Sequence, residues 1–245
     1  MTLSVRQRPS PNFNARKAGS PLRFIVLHYT GMRSAEEALA RLCDPKAKVS
    51  AHYLIDESGR VFQLVDERHR AWHAGESYWQ GIMDVNSASI GIELVNPGHE
   101  FGYRPFPVPQ IAALKGLMHD ILGRYNLPPA ATLAHSDVAP ERKQDPGELF
   151  PWQALAAEGL GLWPTPCETD YAPWNDNGTR KMLEAIGYKP APDGEALRKT
   201  LTAFQRRYRP EGLTGVADRE TVARLRAFIR LRDSVNSWKV KNKGV

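Results

Sequence analysis

The chain's 245 residues, 42% hydrophobic and 24% charged, exclude a disordered or fibrous protein and suffice for one medium domain with a smaller one beside it. Its formal net charge of +6 gathers at the ends, with Arg6, Arg8, Arg16 and Lys17 near the start and Lys239, Lys241 and Lys243 near the finish. Such ends read as mobile solubilising tails, and no basic residues interleave with aromatics as nucleic-acid stacking requires.

The run FIVLH, residues 24–28, is continuously apolar and rich in β-branched residues, which predicts a buried central strand ending at His28. Ser34 and Glu37 have the spacing of a capping box ahead of AEEALARLC, and Asp44-Pro45 closes that helix. AHYLID and RVFQLV, joined across Glu57-Ser58-Gly59, predict a β-hairpin. SIGIELV, residues 89–95, predicts a strand with Ile90, Ile92 and Leu94 on one face and Gly91, Glu93 and Val95 on the other. Pro109 suits the first turn of a helix whose apolar positions, from Ile111 through Leu114, Met118 and Ile121 to Tyr125, keep helical spacing until Leu127-Pro128-Pro129. TLAH, residues 132–135, predicts a short strand that delivers His135.

Strands mixed with helices imply an α/β fold, a central mixed sheet flanked by helices. GLWPTPCETDYAPWND, from residue 161, has three prolines and little periodicity, as expected of a linker. Beyond it, helical spacing near 176–187, 194–209 and 218–231 predicts a small three-helix bundle. The domain reading is an N-terminal arm 1–20, a sheet domain 21–165, a linker 166–175, a three-helix domain 176–235 and a basic tail 236–245.

His28, His135 and Asp145 form a ligand set suited to a catalytic Zn²⁺, two imidazoles and a carboxylate that leave one position open for water. An isolated histidine is more often a surface or hydrogen-bonded core residue, and His52, His69, His99 and His119 read that way. Glu93, so deep in an apolar strand, needs a polar destination. Cys43 and Cys167 lie far apart without a CxxC pair, so free thiols are expected. The N-terminus lacks the apolar stretch of a secretory signal and no run has the length of a membrane span. A cytoplasmic location is expected, with the periplasm or cell envelope, reached by a non-classical route, as the alternative; a monomer is expected.

The segments LHYTGM, SAHYLID, WHAG, NSASIGIELVN and HSDVAPERKQDPG, in this order, resemble the zinc-dependent N-acetylmuramoyl-L-alanine amidases of the type-2 amidase superfamily, which includes the peptidoglycan recognition proteins. The resemblance covers about residues 10–165 and is strongest to the bacterial AmpD and AmiD group. It implies one Zn²⁺ on His28, His135 and Asp145, with the zinc site at the sheet edge. It further implies Glu93 as general base toward a zinc-activated water and Lys143 as stabiliser of the oxyanion. His73 and Asn86 match positions lining the substrate groove; Tyr29 and Trp72 would pack against sugar or lactyl groups, or serve the core. FQRRY followed by GLTGVADRETV resembles a peptidoglycan-binding domain of the three-helix type. The implied reaction is hydrolysis of the amide between the lactyl group of N-acetylmuramic acid and L-alanine, in peptidoglycan or in anhydro-muropeptides. Two rivals stand beside it: a non-catalytic muropeptide recognition module, and an unrelated zinc peptidase that cuts peptide bonds.

Overall fold

A computed structural model describes residues 4–241, with side chains through residue 235. Its strands are β1 (Val5–Gln7), β2 (Phe13–Ala15), β3 (Phe24–Tyr29), β4 (Tyr53–Ile55), β5 (Val61–Gln63), β6 (His69–Ala71), β7 (Ser89–Leu94) and β8 (Thr132–Ala134). The helices are α1 (Ala35–Cys43), α2 (Val85–Ala88), α3 (Gly98–Phe101), α4 (Val108–Arg124), α5 (His135–Val138), α6 (Trp152–Ala156), α7 (Asp176–Ile186), α8 (Gly194–Tyr208) and α9 (Arg219–Lys241). Six strands form one sheet in the order β1-β5-β4-β7-β3-β8, in which only the β4–β5 hairpin pairs antiparallel; β2 and β6 form a separate antiparallel ribbon.

Strand alternation sorts the apolar side chains into two layers. Ile25, Leu27, Ile90, Ile92 and Leu94 point to the face covered by α4, where Ile111, Leu114, Met118 and Ile121 meet them. Phe24 and Val26 point to the opposite face, where Leu133, Leu183, Leu197, Leu201, Phe204 and Phe228 complete a second core. The C-terminal helices therefore bury their apolar stripes against the sheet itself. Leu54 and Val95 continue that face beneath Ala38 and Leu42 of α1. Ser34 caps α1 as its spacing predicts, accepting from Glu37 N at 3.1 Å.

Two segments are more firmly held than their composition suggests. The N-terminal arm contributes a sheet strand and a ribbon strand, and Arg16 donates to the carbonyl oxygens of Glu67, Asn86 and Ser87 at 2.9–3.1 Å. A side chain that satisfies three buried carbonyls is a fold contact, which corrects the reading of this end as a mobile tail. The stretch read as a linker is strapped across α9, with Asp170 paired to Arg230 at 2.7 Å and Trp174 Nε1 donating to Ala217 O at 3.0 Å. Helix α9 runs through Lys241, so Lys243 of the basic tail lies outside the described residues. Both cysteines are free.

Candidate active site

His28 is the penultimate residue of β3, which runs one residue further than expected, and Glu93 is the penultimate residue of β7; the two are register partners on adjacent parallel strands, so their side chains leave the same sheet face. His135 follows β8 directly, as the first residue of α5 rather than the last of the strand. The loop after α5 then returns Asp145, whose carbonyl accepts from Ser136 N at 3.0 Å. These connections bring three residues distant in sequence to the carboxyl ends of the strands, where open α/β sheets place their ligands.

His28 Nδ1 lies 2.9 Å from His135 Nδ1 and 3.0 Å from Asp145 Oδ2, and His135 Nδ1 lies 2.9 Å from the same oxygen. All three residues are buried. Their protonation follows from their neighbours. Ala74 O, which can only accept, sits 3.1 Å from His135 Nε2, so that nitrogen carries the hydrogen and Nδ1 is bare. Ser89 donates its one hydroxyl hydrogen to Val85 O at 2.6 Å and therefore accepts from His73 Nε2 at 3.3 Å. A neutral His73 then offers Nδ1 to His28 Nε2–H at 3.0 Å, which leaves His28 Nδ1 bare as well. Burial and the three neighbouring histidines hold His73 well below the usual imidazole range, consistent with that neutral state.

Burial, with His135 beside it, lowers His28 to about 4. Burial opposes ionisation of Asp145, but the neighbouring His135 and His28 outweigh it and hold the carboxyl well below its usual range. Two bare nitrogens and a carboxylate oxygen thus face one another with no hydrogen between them. Such a set is self-repelling unless it shares a cation, and two neutral imidazoles with a carboxylate are the donor chemistry of Zn²⁺.

These groups line a pocket of about 370 Å³ with Glu93, Lys143, Tyr29, Trp72 and His73. Burial, and next the charge of Asp145, raise Glu93 to about 8, and its Oε2 is out of solvent without a hydrogen-bond partner. Lys143 forms no ion pair and no side-chain hydrogen bond among the described residues. Tyr29 donates or accepts with His99 Nδ1 at 2.9 Å, and Trp72 Nε1 donates to Asn14 Oδ1 at 2.9 Å; both stand at the rim.

His73 lines the pocket, whereas Asn86 is not among its lining residues. His73 spends both ring nitrogens behind His28, and Gly91 makes room for its ring, since a Cβ there would overlap His73 Cγ. Asn86 stands away from the pocket, its Oδ1 accepting from His73 N at 3.1 Å and Ala74 N at 2.8 Å, which fixes the carbonyl that orients His135. Sequence reasoning did not single out Ser89, Arg142 or Asp137. Arg142 donates to Ala74 O and Glu76 O. Asp137 accepts from Ala134 N at 2.8 Å, from Tyr188 Oη at 2.8 Å and from Arg207. Arg142 and Asp137 both lie inside HSDVAPERKQDPG, so the motif itself was the available signal; Ser89, a small hydroxyl at a strand start, carried none.

The family profile described as N-acetylmuramoyl-L-alanine amidase matches residues 18–148. The chain is 39% identical over 237 residues to N-acetylmuramoyl-L-alanine amidase AmiD of Escherichia coli, covering 88% of this chain and 85% of that one. It is 33% identical over 167 residues to 1,6-anhydro-N-acetylmuramyl-L-alanine amidase AmpD of the same species, covering 61% of this chain and 89% of that one. The solved complex of E. coli AmiD with anhydro-N-acetylmuramic acid-L-Ala-D-γ-Glu-L-Lys superposes with a TM-score of 0.77 at 37% identity, over 87% of this chain and 91% of that one. AmpDh3 of Pseudomonas aeruginosa in complex with anhydromuramic pentapeptide gives 0.77 at 35%, over 84% and 90%.

Proposed function

Because the chain belongs to the N-acetylmuramoyl-L-alanine amidase family, we propose that it uses zinc to hydrolyse the amide between the lactyl group of N-acetylmuramic acid and L-alanine at the head of a muropeptide stem. The observation that carries the zinc assignment is the facing set of three hydrogen-free donors on His28, His135 and Asp145. Bound there, zinc supplies Lewis-acid polarisation and lowers the pKa of coordinated water toward ~7.

The chain's own groups supply the rest. Glu93 takes the proton of the attacking water on its unpartnered carboxylate oxygen and returns it to the departing L-alanine amine. Its buried setting suits both directions of transfer, because a carboxyl raised to about 8 holds and releases a proton near neutral pH. The unpaired ammonium of Lys143 offsets negative charge developing on the scissile carbonyl oxygen. Trp72 and Tyr29 bound the opening and exclude water from around the amide. His73, Ser89 and Asn86 act as positioning residues that keep the two imidazoles in their metal-binding tautomer.

A recognition module without turnover would have no use for a carboxyl held without a partner in the pocket floor, so the enzymatic reading is preferred. Chelation tests the zinc assignment. Dialysis against a chelator should abolish muropeptide hydrolysis, and about one equivalent of Zn²⁺ should restore it; hydrolysis that survives complete zinc removal would refute it.

A further inference from the structure

Next to the metal pocket, the 140–144 loop and α8 enclose a second cavity of about 240 Å³. The two cavities share Arg142, Lys143 and Gln144, so they form one trough. The second is strongly cationic: Arg142, Lys143, Arg198, Lys199 and Arg206 line it, with Glu141 as the one acid. Some of that charge is spent. Arg142 is committed to two backbone carbonyls, Lys199 pairs with Glu195 at 3.0 Å, and Arg206 reaches Glu148 at 3.4 Å. Lys143 and Arg198 have no ion pair and no side-chain hydrogen bond among the described residues. Cations gathered in a cleft repel one another and raise the local concentration of anions.

Resting on the amidase reading above, we infer that this trough holds the carboxylates of the stem peptide, with Arg198 of α8 as the principal partner. Charge decides the orientation. In a muropeptide the lactyl carboxyl is tied up in the scissile amide, so the sugar side is neutral there. The stem, by contrast, carries the free α-carboxylate of its γ-linked glutamate and a C-terminal carboxylate. An extended peptide advances about 3.3–3.6 Å per residue, so groups one or two residues beyond the amide reach a neighbouring cavity, not a distant one. Lys143 lines both cavities and stands two residues before Asp145, which ties the anion site to the reacting bond. Because Arg198, Lys199 and Arg206 all come from α8, the C-terminal helices then form a wall of the substrate cleft as well as packing against the sheet.

The test is steady-state kinetics of the zinc-loaded full chain on two substrates. One is anhydro-muramoyl-L-Ala-γ-D-Glu-L-Lys; the other has the glutamate α-carboxyl converted to its amide. Arg198 is exposed, so Arg198→Glu should fold, and Lys181→Glu, exposed on α7 and lining neither cavity, is the charge-matched control. Arg198→Glu should raise KM for the carboxylate substrate about tenfold, as loss of a charge-assisted contact does. The amidated substrate should change less than about threefold, and Lys181→Glu should behave as the parent on both. Equal loss on both substrates, or no loss on either, would overturn the inference while leaving the amidase reading intact. Failure of the parent protein to cleave either substrate would overturn that reading and this inference with it.

Discussion

A carboxyl at position 93 without a hydrogen-bond partner costs the fold free energy, and the cost depends on pH in a predictable direction. Its folded value of about 8 lies above the ordinary 4.5, so the metal-free folded state holds a proton that the unfolded chain has released. The contribution is complete below about 4.5 and is lost as pH rises through about 8. Metal-free Glu93→Gln should therefore be more stable than the parent at pH 9, by on the order of 1–3 kcal/mol in urea titrations. The same variant, loaded with zinc, should lose at least ~100-fold in turnover; near-normal activity would remove Glu93 from the reaction. His28 and His52 slope the other way. Burial lowers them to about 4 and about 3, so their contribution is present above 6.5 and lost as pH falls toward those values. At this scale the meeting of His28, His135 and Asp145 beside Glu93 was legible in the sequence, through the motifs and, for Glu93, through strand parity as well. The job of His73 was not, since nothing in WHAG says that its ring turns back onto His28. Ser89→Ala removes the anchor of that arrangement and should weaken zinc binding about 10–100-fold, measured against a competing chelator; unchanged affinity would show that His28 keeps its tautomer unaided.

Among the elements, α5 and α8 are joined through a buried ion pair. Asp137, two residues after His135 in α5, accepts from Arg207, whose guanidinium also donates to Thr132 O at 2.8 Å and lies 4.0 Å from the Trp152 ring centroid. Both side chains are nearly out of solvent, at 1% and 3% exposure, so removing one strands the other's charge. Arg207→Ala should cost about 3–5 kcal/mol by denaturant unfolding, and a loss under about 1 kcal/mol would mean that water or Tyr188 compensates. Helical spacing near 194–209 made α8 legible, and the buried stripe of Leu197, Leu201 and Phe204 accounts for that period. Its partner was hidden, because a helical period shows which face is buried and not what covers it. Here the sheet covers it, through Phe24, Val26 and Leu133.

Over the whole molecule, the order of strands along the chain explains why the site assembles only in the folded state. β3, β7 and β8 lie side by side although separated by some sixty and forty residues, and each sends a pocket residue from the same end of the sheet. The α/β class and the strand positions were readable from apolar runs and turn residues. The strand order and the docking of the C-terminal helices were not, because neither leaves a local periodic mark. Nor did composition reveal that the basic N-terminal arm supplies an edge strand; exposed short strands read like coil. Among the described residues no helix is long and apolar enough to cross a membrane. Mass spectrometry of the products of an anhydro-muropeptide incubated with the zinc-loaded protein identifies the bond that is cut. Two products are expected, the anhydro-muramic acid with a free lactyl carboxylate and an intact stem peptide with a free L-alanine amine. Cleavage within the peptide, leaving L-alanine attached to the sugar, would contradict the proposed function.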